Sequence, residues 1–341
     1  MPPDQPDETW IDVDDSHPED YPSDSHSFTT SLASSVQDYS FENGRRYHAY
    51  REGEYPFPND EAEQDRLDMV HYIFRMALQG KLYQAPLRGP IRRILDLGTG
   101  TGIWAIEIAD EMPQARVLGN DLSPIQPTWF AADAAALLES LYFIIDDIEA
   151  PWPYSPAEAL DFIHQRNMVG SIADWNGLFA QAHQHLVPGG YYEIQEFRVD
   201  FQSQARGGPT LAETSSIARW QRSLQEASSR FGKPINVVHT LADTLRRNAF
   251  VDVTEEIIKI PIGAWARDPK LKRLGVLMQG HAIDSVEPLT MALFTRVLGW
   301  SEAECRALIA EVQAEFSASP ERRQLFVELH VIHGRTPCSG V

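Results

Sequence analysis

The chain has 341 residues, 43% of them hydrophobic, and a formal net charge of −20 at pH 7. That length can bury the core of one large domain or of two small ones. No run of 18 apolar residues and no basic-then-apolar leader occurs, so the sequence predicts neither a membrane span nor a secretory signal. The negative charge disfavours unaided binding to nucleic acid or to anionic membranes.

The cysteine and histidine content also excludes some kinds of site. Because Cys305 and Cys338 are the only cysteines, the sequence offers neither a disulfide scaffold nor a Cys-rich zinc site. His183 and His185 are two residues apart on a predicted helix and therefore project from different faces, which disfavours a metal pair. We expect no metal ion, and we expect the protein to reside in the cytoplasm.

The negative charge is concentrated at the start of the chain. Residues 1–40 contain ten Asp or Glu and no Lys or Arg, and they are rich in Pro and Ser. Such a segment cannot bury enough apolar surface to offset its ordering entropy, so the composition predicts a disordered acidic tail. The alternative is an arm that binds protein partners.

Residues 41–90 have a different character. Aromatic residues alternate with arginines in residues 41–59, which predicts a segment that packs across the domain. Asn59 or Asp60 can cap a helix over about residues 60–80. The apolar stripe of this helix follows a three- and four-residue spacing through Leu67, Val70, His71, Phe74 and Leu78.

The most informative stretch is the glycine-rich turn after a predicted strand at residues 94–97. Three glycines, Gly98, Gly100 and Gly102, allow a tight turn in which the backbone closely approaches a ligand. A nicotinamide fingerprint needs a glycine where Ile103 stands. Asp96, two residues before the first glycine, would repel a pyrophosphate and suits a cationic ligand with an ammonium and a sulfonium.

Acidic residues end the next two predicted strands. Asp121 ends a strand over residues 115–121 and lies 23 residues after Gly98, close to the ~20 typical of an acid that binds both ribose hydroxyls. The alternative is that Asp121 only caps the turn that follows. A third strand, over residues 141–147, ends in Asp146 and Asp147.

The remaining chain alternates strands with helices and predicts a right-handed, mostly parallel α/β sheet. Further strands are predicted at residues 160–164, 191–195, 251–260 and 325–333, and helices at 103–109, 175–186, 210–232 and 237–248. Residues 265–319 are predicted to be largely helical, with breaks at Pro269, Gly280 and Pro288.

Four motifs together resemble the fungal LaeA-like class I S-adenosylmethionine (SAM) methyltransferases. They are Asn-Gly-Arg-Arg-Tyr-His at 43–48, Ile-Leu-Asp-Leu-Gly-Thr-Gly-Thr-Gly-Ile-Trp at 94–104, Asp-Leu-Ser-Pro-Ile-Gln-Pro at 121–127 and Leu-Val-Pro-Gly-Gly at 186–190. The resemblance covers residues 41–337. It implies a Rossmann-like domain over residues 91–337, with a seven-stranded, mostly parallel sheet and helices on both faces. The last two strands would form an antiparallel edge, and a helical insertion at 265–320, before the last strand, would wall an acceptor pocket.

The resemblance implies SAM as cofactor and a set of residues that bind it. In this class an acid at the end of the third strand binds the adenine amino group, which makes Asp147 or Asp146 the candidate. The full expected set is Asp96, Gly98, Thr99, Gly100, Gly102, Asp121, Leu122, Asp146, Asp147, Ile148 and Tyr50. The sequence departs from the family at residues 128–140, where an Ala-rich run predicts an extra helical turn or two.

Oxygen and nitrogen acceptors lose a proton on methylation, so a general base assists the reaction. His164, after the fourth strand, is the candidate base, and a core histidine is the alternative. Weaker candidates are Glu193, Glu196, Tyr50 and His48, and Arg166 with Asn167 is either a contact site or a polar loop.

Three functions are compatible with these features. The first is methylation of an O or N atom of a small molecule in fungal secondary metabolism. The second is a LaeA-like nuclear regulator that acts through protein partners, which the acidic tail could contact. The third is a SAM-binding domain without turnover.

Overall fold

The computed structural model describes residues 39–48, 50, 53, 55–126, 140–205, 211, 214–318 and 323–338. Residues 1–38 of the predicted tail, and all but the last residue of the Ala-rich run at 128–140, lie outside the described residues. The strands are β1 (Ser40–Glu42), β2 (Arg45–Tyr47), β3 (Arg93–Leu97), β4 (Arg116–Asp121), β5 (Leu141–Ile145), β6 (Leu160–Arg166), β7 (Leu186–Ser203), β8 (Val251–Pro261) and β9 (Leu325–Arg335). The helices are α1 (Glu61–Ala77), α2 (Ile103–Glu111), α3 (Trp175–His185), α4 (Ser216–Phe231), α5 (Val238–Arg247), α6 (Pro269–Leu293) and α7 (Glu302–Ser317).

Seven strands form one sheet in the order β5-β4-β3-β6-β7-β9-β8. The five strands from β5 to β7 pair in parallel, and β9 is antiparallel to both of its neighbours. The prediction of a mostly parallel, seven-stranded sheet with an antiparallel edge is therefore confirmed. From β3 the chain first builds outward to β5 and then returns to β6 on the other side. This reversal opens a crevice at the carboxyl ends of β3 and β6, where ligands bind in folds of this kind.

Both faces of the central strands are buried, as expected for parallel strands covered by helices. Ile94 and Phe162 contribute to the core on one face, together with Trp104 of α2. Leu95 and Ile163, the next residues along the same strands, contribute to the larger core on the other face. β3, which leads into the glycine turn, is therefore held in place by core contacts on both of its faces.

The helical insertion differs from the prediction. α6 runs through Gly280 and Pro288 for 25 residues without a break, so the breaks expected there were wrong. The free energy gained by burying the surrounding helical turns exceeds the free energy lost because Pro288 cannot donate a backbone hydrogen bond. The helix does begin at Pro269, where the missing N–H costs nothing, and Asp268 caps it.

Two further features go beyond the predicted elements. Residues 188–190 do not separate α3 from a strand; they lie inside β7, where the pairing register with β6 shifts between Leu160 and Phe162. The segment before α1 contains the β1–β2 hairpin, whose turn is formed by Asn43 and Gly44, both with positive φ. Asp60 caps α1 by accepting a hydrogen bond from the N–H of Glu63 at 3.0 Å, which agrees with the capping prediction.

Candidate functional site

The glycine turn after β3 has the backbone that the sequence predicted. Gly98, Gly100 and Gly102 have φ values of +64°, +57° and +81°, a region that L residues rarely adopt. A Cβ atom on Gly98 would lie 2.1 Å from the sulfur of Met168. Gly98 and Gly100 line a large cavity at the carboxyl edge of the sheet, whereas Gly102 begins α2 and does not line it.

Asp96 lies beneath this turn and does not line the cavity. Its side chain is only 2% exposed. One carboxylate oxygen accepts a hydrogen bond from the Thr99 hydroxyl at 2.7 Å, and the other lies 2.7 Å from Nδ1 of His164. Asp96 therefore fixes the turn from below, while Thr99 borders the cavity directly.

His164 does not reach the cavity in this geometry. The imidazole is fully buried and stacks on the indole of Trp104, with ring centroids 3.7 Å apart and planes 3° from parallel. Burial lowers the pKa of His164, although the neighbouring Asp96 partly opposes this effect. The ring holds Asp96 in place, which corresponds to the core-histidine alternative, and we assign no catalytic step to it.

Asp121 lies at the end of β4 and lines the cavity next to the glycine turn. Its two carboxylate oxygens accept hydrogen bonds from the backbone N–H groups of Gly100 at 2.8 Å and Ser123 at 2.9 Å. Burial raises the pKa of Asp121 to about 6, and the hydrogen bonds from these N–H groups oppose the shift. An ionised carboxylate with two acceptor oxygens has lone pairs left for additional donors.

The end of β5 also contributes to the cavity wall. Leu122, Asp146, Asp147 and Ile148 all line it. The Asp147 carboxylate accepts a hydrogen bond from the N–H of Glu149 at 2.9 Å, and that of Asp146 accepts one from the N–H of Asp147 at 2.9 Å. The structure thus brings together all the expected cofactor residues except Asp96, Gly102 and Tyr50.

The aromatic contribution from the N-terminal segment comes from a different residue than expected. Tyr50 does not line the cavity, whereas Tyr55, Phe57 and Asn59 do. Asn59 donates a hydrogen bond to the Ser123 hydroxyl at 3.2 Å. That contact ties the segment to the loop that follows β4.

A buried arginine at the end of β6 stands out among the cavity residues. Arg166 donates a hydrogen bond to Nδ1 of His71 at 2.8 Å, and Nε2 of His71 lies 3.0 Å from Glu107. The guanidinium also lies over the ring of Phe74, at 5.4 Å from its centroid. Burial lowers the pKa of Arg166 to about 10 and that of His71 to about 3. Among the described residues Arg166 has no carboxylate within ion-pair distance, although buried charges are usually paired.

The opposite end of the cavity is apolar. β7 and β9 supply Phe197, Val199, Phe201 and Val327, and Ile172 and Ile235 complete this part of the wall. α6 covers it with one helical face, formed by Met278, His281, Ala282, Ser285 and Leu289. This face could not be predicted from the sequence, because its residues are those of any half-buried helix. Trp265, Phe294 and Trp300, three of the aromatic residues of the insertion, do not line the cavity.

Several other titratable candidates are buried outside the cavity. Glu193 accepts hydrogen bonds from the N–H groups of Gln84 and Ala85, and Glu196 accepts one from the N–H of Met168 at 2.7 Å. Burial raises the pKa of Glu193 to about 7 and that of Glu196 to about 8. Both acids anchor loops around the site. His48 is also buried, edge-on to the ring of Tyr55.

The described residues contain neither a metal site nor a membrane-spanning helix. In that part of the chain no group of three His, Cys, Asp or Glu side chains is arranged to hold a metal ion. None of the helices described there combines the length and apolarity needed to cross a bilayer.

Comparison with known proteins identifies the family. Residues 69–253, more than half of the chain, match the family described as "Methyltransferase domain". The chain belongs to this methyltransferase family. Its cofactor is S-adenosylmethionine, and its sheet and glycine turn are those of a class I methyltransferase.

Several fungal methyltransferase relatives are similar over most of their length. The methyltransferase pytC of Aspergillus terreus is 43% identical over 86% of this chain and 87% of its own. The secondary metabolism regulator laeA of Aspergillus flavus is 34% identical over 91% of this chain and 80% of its own. The protein-methionine methyltransferase laeA of Emericella nidulans is 33% identical over 87% and 76%, respectively. The predicted membership of the LaeA-like methyltransferases is confirmed.

Solved methyltransferase structures resemble the chain more weakly. A phosphoethanolamine N-methyltransferase 2 of Haemonchus contortus, in complex with phosphomonomethylethanolamine and S-adenosylhomocysteine, is 16% identical, with a TM-score of 0.46 over 80% of this chain and 58% of its own. A geranyl diphosphate methyltransferase in complex with SAM is 14% identical, with a TM-score of 0.44 over 82% and 92%.

Proposed function

We propose that this methyltransferase transfers the methyl group of SAM to an oxygen or nitrogen atom of a small molecule in fungal secondary metabolism. The observation that carries the proposal is the composition of one continuous cavity. Acidic and glycine residues line the end next to β3, β4 and β5, and apolar residues line the end next to β7, β9 and α6. Such a cavity accommodates a polar cofactor and an apolar acceptor side by side.

The polar end fits SAM residue by residue. Asp121 would accept the ribose hydroxyls, as its free lone pairs allow, and Asp147 or Asp146 would accept the adenine amino group. Gly98 and Gly100 would approach the amino-acid end of the cofactor with their backbone, because both line the cavity and their positive φ values form a tight turn there. Arg166, which lacks a carboxylate partner among the described residues, would bind the carboxylate of the cofactor.

SAM supplies an electrophilic methyl group on a sulfonium. The protein's own contribution is to hold the acceptor atom in line with that group and to exclude water. Tyr55 and Phe57 of the N-terminal segment would cover the cofactor, and α6 would cover the acceptor, since both line the cavity. The β1–β2 hairpin ties this segment to the end of α6 through an ion pair of Glu42 with Arg296.

We also propose that the reaction takes place in the cytoplasm. Both cysteines are free thiols: Cys305 is buried and Cys338 is exposed. Unpaired cysteines are the rule in reducing compartments.

A second function is favoured by the names of the relatives. Proteins 33–34% identical to this chain are called secondary metabolism regulators, and one is called a protein-methionine methyltransferase. On that view the protein would act in the nucleus through protein partners, and the acidic tail would be a contact site. The apolar wall that β7, β9 and α6 form at one end of the cavity favours a small apolar molecule as acceptor.

The proposal is tested by incubating the protein with methyl-labelled SAM and separate extracts of fungal metabolites and fungal proteins. Mass spectrometry then locates the label. We expect a labelled small molecule, and the Gly98→Ala variant should not produce it. A label found only on protein, including the enzyme itself, would favour the regulator, and binding of SAM without any transfer would contradict both functions.

A further inference from the structure

The apolar end of the cavity contains a histidine with one ring nitrogen that has no hydrogen-bond partner among the described residues. His281 projects from α6 into this end, and its side chain is only 7% exposed. Among the described residues nothing accepts or donates a hydrogen bond at its buried Nδ1. A buried polar nitrogen without a hydrogen bond destabilises the folded protein. Such a group at the wall of a cavity therefore indicates a hydrogen-bonding ligand.

The surroundings of His281 keep its ring neutral. Burial lowers the pKa of His281 well below its usual value, and the positive charge of Arg66 acts in the same direction. Arg66 itself is neutralised by Glu63, whose carboxylate accepts its Nε–H at 2.8 Å. A neutral imidazole always has one nitrogen that accepts a hydrogen bond, so it can receive the hydrogen of a hydroxyl group.

The remaining groups at this end specify an uncharged and apolar acceptor. Phe197 lies beside His281 with ring centroids 6.2 Å apart, and Phe201 and Met278 extend the wall. The other cation there, Lys233, is already paired with Glu149 at 3.5 Å. Aromatic and thioether side chains favour flat aromatic ligands, and paired charges leave nothing to bind a carboxylate or a phosphate.

We propose that His281 is the catalytic base for an uncharged aromatic acceptor and takes the proton of its hydroxyl group during methyl transfer. The inference rests on the proposed function and specifies its substrate class. As the bond from the acceptor oxygen to the methyl carbon forms, the bond from that carbon to sulfur breaks and its electron pair stays on sulfur. The hydroxyl proton moves to the imidazole, which gains the positive charge that the sulfur loses.

The net charge of the cavity is therefore the same before and after the reaction. This conservation matters because the site is buried, and a new uncompensated charge there would be costly. Without the imidazole, the proton would have to leave through the apolar wall or remain on the ether oxygen. The conservative variant His281→Leu keeps the size and removes the acceptor nitrogen.

The probe for this proposal is 2-naphthol, an aromatic alcohol that becomes much more acidic in its excited state. In the protein loaded with S-adenosylhomocysteine, bound 2-naphthol should transfer its proton to His281 on excitation and emit as naphtholate. In His281→Leu the bound probe should emit as neutral naphthol and bind about tenfold more weakly, the effect of one lost hydrogen bond of about 1.4 kcal/mol. Val276→Leu, on the exposed face of α6 and outside the cavity lining, is the matched control and should behave like the wild type.

The possible failures can be told apart. If the protein does not bind S-adenosylhomocysteine in calorimetry, the proposed function fails. If both proposals hold, wild type and His281→Leu should bind S-adenosylhomocysteine with the same affinity. Naphtholate emission of equal strength in wild type and His281→Leu would overturn the role of His281. Saturable binding of 2-naphthoate but not of 2-naphthol, or of neither, would overturn the uncharged aromatic acceptor.

Discussion

We expect single residues at the ends of β3, β4 and β6 to determine which groups of a ligand the cavity binds. Asp96 and Asp121 look alike in the sequence, as acids beside a glycine turn, but the fold uses them differently. Both oxygens of Asp96 are engaged by Thr99 and His164 below the turn, and Asp121 borders the cavity. The sequence predicts that both acids lie at the same edge of the sheet. Whether a carboxylate lies below the glycine turn or borders the cavity depends on side-chain packing, including that around Trp104.

The glycine turn allows a test that separates backbone strain from steric blocking. Gly98→Ala places a methyl group against Met168 and should reduce the affinity for S-adenosylhomocysteine at least tenfold. Gly80→Ala is the matched control, because Gly80 also has a positive φ but has no atom within 4 Å of an added Cβ. Both variants should lose about 1–2 kcal/mol of unfolding free energy, the usual cost of that backbone region. Equal affinities in calorimetry would show that the cofactor does not use this turn.

Asp121 should make cofactor binding dependent on pH. The ribose hydroxyls need an ionised acceptor, and burial raises the pKa of Asp121 to about 6. Affinity for S-adenosylhomocysteine should therefore be constant above about pH 7 and fall below pH 6, by up to about tenfold per pH unit. Asp121→Asn should bind about 10- to 100-fold more weakly at pH 7.5, as expected for a lost bond to a charged group. Its affinity should no longer change between pH 5 and 7.

The control for this experiment is Asp110→Asn, at an exposed position on α2. It should keep both the affinity and the pH profile of the wild type. If the affinity of Asp121→Asn still depended on pH, a group other than Asp121 would be the one that titrates. Asp121 would then not bind the ribose.

Arg166 should recognise one end of the cofactor only. Arg166→Met should reduce the affinity for S-adenosylhomocysteine about tenfold or more, because a buried charge-assisted pair is lost. The affinity for 5′-methylthioadenosine, which has no carboxylate, should change less than twofold. Arg219→Met, at a half-exposed ion pair on α4, is the control and should affect neither ligand. A parallel loss for both ligands would mean that Arg166 supports the fold and does not bind the carboxylate.

At the scale of secondary structure, α6 shows most clearly what local sequence rules miss. Gly280 and Pro288 are typical helix breakers, but α6 continues through both. Its buried face forms the wall of the apolar end of the cavity, and this burial stabilises the helix. The same limit applies to residues 188–190. Local rules predict a turn there, whereas these residues belong to β7, which pairs with β6. The strands and most helices were predictable because their hydrophobic periodicity agrees with their tertiary contacts.

Two glycines of α6 give opposite predictions. Gly280 is exposed and has no atom within 4 Å of an added Cβ, so Gly280→Ala should raise the free energy of unfolding by about 0.5–1 kcal/mol. Gly275 packs against the backbone, where an added Cβ would lie 2.3 Å from the carbonyl oxygen of Gly263. Gly275→Ala should therefore destabilise the protein by about 1–3 kcal/mol. Denaturant titration measures both changes, and a loss of stability in Gly280→Ala would contradict the regular helix found there.

At the scale of the whole molecule, the sheet order and the position of the cavity followed from the sequence. The alternation of strands and helices predicts parallel pairing, and parallel pairing brings the ends of β3, β4 and β5 to one edge. The apolar end of the cavity did not follow, because α6 and β7 meet there from residues about 80 positions apart. His281 is the example: nothing in its sequence neighbourhood distinguishes it from any other residue of a half-buried helix.

Charge is the other property of the whole molecule that can be tested. Removal of residues 1–38 deletes ten acidic residues and no Lys or Arg, which is half of the net charge of −20. Among the described residues the cavity lining begins at Tyr55, so this truncation should leave the affinity for S-adenosylhomocysteine within twofold of the wild type. Calorimetry at two salt concentrations checks this. A larger loss at both would show that the acidic tail contributes to the site.

The position of β9 between β7 and β8 has a consequence for how the protein is made. β8 is synthesised before β9, which is its only partner among the described strands, so β8 stays unpaired until β9 has been made. A nascent or prematurely terminated chain that stops before Leu325 exposes the edges of β7 and β8 at once, and such edges readily pair with other chains. Synthesis of the last strand is thus the step that protects the protein from aggregation.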